Sequence, residues 1–197
     1  MQSFPVFSWT VFLSMFLLAA IVPVAPSRVQ AEEDSEKGRP AWKQRLAAEL
    51  PLLGHRNWIV VADSAYPAQT RPGIETIYAG GDHVDAVRAV LEAVDAAKHV
   101  DAVPMIDAEL AAVAEADAPG VEAFRKNLDR LLEGRPVQTM PHEDIIRQLD
   151  ETARLFRILV IKTDMTVPYT SVFVQLDCGY WSPEKEARLR RALEQAK

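Results

Sequence analysis

The chain has one cysteine, Cys178, in 197 residues, so no disulfide can close within a single copy. The alternatives are a bridge to another copy or a buried thiol, and the residue's place at the end of an apolar run favours the second. Basic charge is also scarce. Against 28 acidic residues there are 22 Lys and Arg, a formal net charge of −6, and the cations are scattered. The electrostatic footprint of a nucleic-acid binder or a protein held on an anionic membrane surface is therefore missing. There are four histidines, with no i, i+4 pair on a helix and no tight cluster with cysteine, which argues against a metal site. Glycine-rich phosphate loops are absent too: "AGGD" (79–82) lacks the second half of either fingerprint. "ADSAY" (62–66) is not the Gly-x-Ser-x-Gly elbow of a serine hydrolase, which leaves an unrelated hydrolase using Ser64 or Cys178 as a weak alternative. What remains suits a small neutral ligand.

Nearly half the residues are hydrophobic and a quarter charged, a balance that supports one globular domain with a sizeable core. Residues 11–24, "VFLSMFLLAAIVPV", form an apolar run of signal-peptide length, and "VQA" (29–31) supplies the small residues of a cleavage site. Residues 1–31 are therefore expected to be a signal peptide and the protein to be exported, periplasmic or secreted. No Lys or Arg precedes Arg28, so the alternative is an uncleaved N-terminal anchor, the one case in which a membrane would be a partner. No cysteine follows the run, which excludes a lipoprotein. Residues 32–40, "EEDSEKGRP", read as a flexible lead-in.

From Ala41 the pattern alternates between helix and strand. "AWKQRLAAELPLLG" has helical spacing closed by Pro51 and Gly54. "WIVVAD" (58–63) is a strand covered on both faces, with Asp63 at its carboxyl end. A loop and a shorter strand, "IETIYAGGD", lead to a helix striped by Val84, Val87, Val90, Leu91 and Val94 and capped by Asp82. A strand "VDAVPMI", a helix "PGVEAFRKNLDRLLEG", a strand "PVQTM" and a helix "PHEDIIRQLDETAR" follow. Then come two strands in succession, "LFRILVIKT" and "TSVFVQLDC". The order argues for an α/β domain over 41–181 with a mostly parallel central sheet flanked by helices. The last segment, 182–197, reads as a charged helix with Ser182 as cap and Pro183 in its first turn, an addition that could pack against another subunit.

Ligands in such sheets gather at the carboxyl ends of strands, which points to Asp63. His55 lies just past a helix end, His99 reads as a surface or capping residue, and His83 sits where the helix dipole disfavours a cation. A strand of this length spans about 20 Å, so His55 and Asp63 can share a pocket only across a subunit boundary or through a bend in the chain.

With those residues assembled, the sequence resembles the D-ribose pyranase and L-fucose mutarotase family, the RbsD/FucU-like proteins. The matching pieces are "LLGHRNWIVVADSAYP" (52–67), "TMPHEDI" (139–145) and "VPYTSVFVQLDCG" (167–179), in the family's order. The resemblance implies an α/β fold in a ring-shaped homo-oligomer, often a decamer of two pentamers, with each pocket lined by two neighbouring subunits. It implies interconversion of anomers or of pyranose and furanose forms of a monosaccharide such as ribose or fucose, without metal or cofactor. Residue by residue it gives His55 as the general acid, Asp63 as a substrate-binding carboxylate, His142 as a second polar group, and Tyr169, Thr170 and Ser171 as the sugar clamp. Two positions depart from the family pattern: Asn57 stands in place of an Asp and Ser171 in place of an Asn. A non-catalytic monosaccharide-binding or assembly protein of the same fold is the alternative.

Overall fold

The structure is a computed structural model and describes residues 40–196. The expected signal peptide, 1–31, and the lead-in as far as residue 39 lie outside the described residues.

Helix α1, Ala41–Glu49, tightens into a 3₁₀ turn at Leu50–Leu52. Strand β1 is Trp58–Ala62, β2 is Ile74–Tyr78, and helix α2 is His83–Ala96. The Asp82 side chain accepts from the Asp85 amide, the cap expected from sequence. Strand β3 is Val100–Asp107, followed by a 3₁₀ turn at Ala108–Ala112, helix α3 at Val121–Leu132 and β4 at Gln138–Met140. Helix α4 is His142–Thr152, β5 is Ile158–Lys162, β6 is Val172–Cys178 and α5 is Pro183–Gln195.

The six strands form one sheet in the order β2-β5-β1-β6-β3-β4. β2, β5 and β1 run parallel, as do β3 and β4, and β6 runs antiparallel to both β1 and β3. The mostly parallel α/β sheet read from the sequence is present. The last two strands, although successive in sequence, are not neighbours, because β1 lies between them. Their connection carries the chain over β1, and that crossing sets up the site described below.

All five residues of β1 are buried. Ile59 and Val61 face a core built with Leu46 and Leu50 of the α1 segment, Val87, Val90, Leu91 and Val94 of α2, and Phe124 and Leu128 of α3. Trp58, Val60 and Ala62 point the other way, against Ile145 and Leu149 of α4. The alternation of side chains along a strand thus produces a three-layer molecule from one continuous apolar run. At the α1 side the buried Glu49 is paired with Arg45 and Arg157, both of which also reach Glu75 on β2, so the helix is tied to the sheet edge by charge as well as by packing.

His99 caps as expected, its Nε2 lying 3.2 Å from the Leu50 carbonyl and 3.0 Å from that of Leu53. Gly179 ends β6 against β3: a Cβ there would stand 3.0 Å from backbone atoms of Val100, so no side chain fits without moving a strand. Cys178 is free and only partly buried, a correction to the buried thiol expected from sequence. It sits at the end of β6, where the chain leaves the sheet for α5. Among the described residues no helix is long and apolar enough to cross a membrane.

His83 opens α2 in the interior, 1 % exposed, with Nδ1 2.7 Å from the Thr163 hydroxyl and its ring edge-on to Phe124. Burial pushes its pKa down from 6.5 to about 4, so the imidazole is neutral at physiological pH. Between those two values the unfolded chain binds the proton and the folded chain does not, so this residue erodes stability as pH falls from about 6.5 towards 4. His83→Gln should remove that contribution. Urea unfolding at several pH values should show the variant gaining on the parent as pH drops, by on the order of 3 kcal/mol at the acid end; parallel curves for the two proteins would refute it.

Candidate functional site

β6 enters the sheet where β1 and β3 leave it. Val172, its first residue, is in register with Val61 of β1 and with Ile106 of β3. The segment leading into β6 therefore passes between the carboxyl ends of two parallel strands, the first followed by Asp63 and the second ending in Asp107. β4 runs parallel to β3 with Met140 opposite Asp107, so α4, which starts two residues later, opens beside Asp107. Asp63, Asp107, His142 and Tyr169 thereby line one cleft of about 380 Å³, with Gln69 and Glu143 at its margin.

Each group in the cleft is held from behind. The Ser171 hydroxyl donates to Asp63 Oδ2 at 2.8 Å, and the Ala65 amide donates to Oδ1 at 2.8 Å. His142 Nδ1 is 3.1 Å from Asp107 Oδ1. The His142 backbone amide donates to both carboxylate oxygens of Glu109, at 3.1 and 3.0 Å, which fixes the start of α4 and favours its positive end. Tyr169 adopts a left-handed backbone, φ 57°, and sets its ring edge-on to His142 with centroids 5.7 Å apart. Tyr66, at the back, has its hydroxyl pushed up to about 12 by burial and stays neutral. Thr170 and Ser171 are 0 % and 2 % exposed. The Thr170 side chain turns inward to donate to the Val167 carbonyl at 2.7 Å, so these two hydroxyls stand behind the cleft and not on its surface.

Asp107 was not singled out by the sequence reading, although the strand-end rule that found Asp63 applies to it equally. It is 1 % exposed, and its Oδ2 has no hydrogen-bond partner among the described residues. Burial raises its pKa to about 6, against the pull of His142, which favours the ionised form. With Nδ1 committed to Asp107, the imidazole offers Nε2 to a ligand. A carboxylate behind a histidine fixes its tautomer and supports the charge that develops when Nε2 takes a proton.

His55 lies at the other end of β1, away from this cleft. Its Nδ1 is 2.9 Å from Asp177 Oδ1 on β6, and Arg56 Nε donates to its Nε2 at 3.3 Å. Asn57 does not touch the imidazole. Its Oδ1 accepts from the Gly54 amide at 2.7 Å and its Nδ2 donates to the Arg157 carbonyl at 3.1 Å, a bond an aspartate could not make. The amide thus secures the turn in which Arg56 takes φ 77°, and the carboxylate that orients His55 comes from Asp177. Within one chain the buried strand β1 stands between His55 and Asp63. Among the described residues no group of three His, Cys, Asp or Glu is placed to hold a metal ion.

A sequence model of the RbsD / FucU transport protein family matches residues 37–179. No curated protein matches the chain. Among solved structures, Bacillus subtilis RbsD complexed with D-ribose is 20% identical with a TM-score of 0.50, over 70% of this chain and 93% of that one. A fucose mutarotase from Streptococcus pneumoniae, in complex with L-fucose, is 16% identical with a TM-score of 0.49, over 74% and 99%. The likeness to the Bacillus protein is one of fold, and the family match covers every group of the Asp63 cleft as well as the His55–Asp177 pair: the chain belongs to the RbsD / FucU transport protein family.

Proposed function

We propose that this protein binds a monosaccharide and speeds the exchange of its anomers or ring forms, acting as an exported homo-oligomer whose pockets form between neighbouring copies. The observation that carries this reading is the Asp107–His142 pair, which lines the same cleft as Asp63. Family membership and the D-ribose held by the Bacillus relative support the ligand class.

The chemistry is a pair of proton transfers. Opening a cyclic hemiacetal removes the proton of the anomeric hydroxyl, breaks the bond from the anomeric carbon to the ring oxygen, and delivers a proton to that oxygen; closure on the other face, or through another hydroxyl, reverses both transfers. In our reading His142 Nε2 takes the first proton, with Asp107 supporting the imidazolium, and His55 of a neighbouring copy supplies the second. Asp63, held by Ser171, accepts hydrogen bonds from sugar hydroxyls, and Tyr169 bounds the ring. His55 has to come from a second copy, because a strand with no room for polar groups separates it from Asp63 in its own chain.

Saturation-transfer NMR on ribose, fucose and galactose should show exchange faster than buffer, with His55→Ala and His142→Ala each losing about 10²–10⁴-fold. Oligomers assembled from a mixture of the two variants should regain part of the rate, since some pockets then receive both intact histidines. No acceleration with any of the sugars sinks the catalytic reading, and calorimetric binding without exchange would leave a sugar-binding module in its place.

Asp107 allows a sharper test. As its folded pKa is raised, the ionised form that supports His142 costs stability as pH rises through about 6, and activity should fall on the acid side as Asp107 takes up a proton near that value. Asp107→Asn should lower kcat by roughly 10–100-fold, by analogy with the cost of removing a group that orients a working histidine. It should flatten that acid limb while leaving the protein as stable as before, or more so, at pH 7. A marked loss of stability at pH 7 would contradict this account of Asp107.

Export rests on the apolar run at 11–24 and the small residues before Glu32. Protein recovered from outside the cytoplasm should begin at Glu32 by N-terminal mass analysis; an intact Met1 in the membrane fraction would instead establish an anchor.

A further inference from the structure

The family match ends at residue 179, but the cleft around His55 does not. This cleft, about 580 Å³ in volume, is lined by His55 and Asp177 of the matched region and by Trp181 and Glu186 of the segment that follows it. Trp181 is 43 % exposed, a large apolar ring left at the surface of a working histidine's surroundings. Its position is nevertheless fixed. The indole Nε1–H donates to Glu186 Oε2 at 2.8 Å, Arg190 Nε donates to Glu186 Oε1 at 2.6 Å, and Lys185 Nζ donates to the Tyr180 carbonyl at 3.0 Å. Ser182 caps α5 through the Lys185 amide at 3.3 Å, so the helix that carries these partners starts immediately after the tryptophan.

An indole whose N–H is already satisfied has only its ring left to offer, and a restrained aromatic ring loses little entropy when a flat apolar surface covers it. The carboxylates of Asp177 and Glu186 line the same cleft as the ring and can accept hydrogen bonds from hydroxyls. A pyranose combines these requirements, with C–H groups on one face and hydroxyls around its rim. We infer that Trp181 is a specificity-determining platform that stacks against the apolar face of a pyranose whose ring oxygen His55 serves, and that this wall is supplied by the C-terminal segment of this chain. The inference rests on the proposed function and adds to it a preference for galactose and fucose over ribose, whose pyranose ring lacks the carbon substituent on C5 and so presents a smaller C–H face.

The test uses the full assembled protein, with exchange rates and tryptophan fluorescence measured against galactose, fucose and ribose. Trp181→Ala should raise KM for the two larger sugars by about tenfold and leave kcat within about twofold, with a smaller change for ribose. Trp181→Phe, which keeps a ring but loses the bond to Glu186, should retain most of the affinity, and this guards against a general disturbance of α5. If the parent accelerates exchange and Trp181→Ala matches it in KM for all three sugars, the platform is refuted while the function stands. If the parent neither binds nor accelerates any of them, both fall together.

Discussion

β1 has a strand on each edge and helices over both faces, and all five of its residues are buried and apolar. A strand so enclosed can carry a reactive group only where it enters or leaves the sheet, because an unpaired charge at any residue between would face a cost of several kcal/mol. The placement of chemistry in this molecule follows from that constraint. His55 stands before β1 and Asp63 after it, each leaning on a partner at one end of β6: Asp177 near its end for the first, Ser171 just before its start for the second. One antiparallel strand thus braces both ends of its neighbour. It can do so because it begins where β1 ends.

The same topology accounts for the cost carried in the Asp63 cleft. Placing Asp107 at the end of an interior strand desolvates it, and the imidazole that reaches it leaves its second oxygen without a hydrogen-bond partner among the described residues. A carboxylate in that state is a liability for folding and, in the proposed reaction, an asset for holding the base. Structure here gives up stability for orientation, an exchange that recurs in sites whose groups must be ready before the ligand arrives.

Much of this was legible in the sequence. The apolar run from Trp58 and the stripe of α2 gave the elements and the α/β class, and strand-end logic gave Asp63. What was not legible depended on pairings distant along the chain. Asp107 was passed over because the reading of its strand stopped at Ile106, and its partner His142 lies 35 positions away. Asn57 looked like a lost carboxylate beside His55; in the fold the carboxylate arrives from Asp177, 122 positions away, and Asn57 is occupied with the backbone of its own turn and of Arg157. Thr170 and Ser171 matched a motif whose exposed member is Tyr169, since the Thr170 hydroxyl turns back to the Val167 carbonyl and that of Ser171 is spent on Asp63. The separation of β5 from β6 is a property of strand order, on which local periodicity is silent.

Helix α5 buries none of its residues. A segment that contributes nothing to the core can change its sequence without charge to the stability of the domain, so selection acting on it is relieved of the usual conflict between a new function and a fold near its threshold. Whatever is written into residues 180–195 can be rewritten quickly. The histidine of the same cleft, wired through Asp177 into the central sheet, has no such latitude, and the two walls should diverge at different speeds among relatives of this protein.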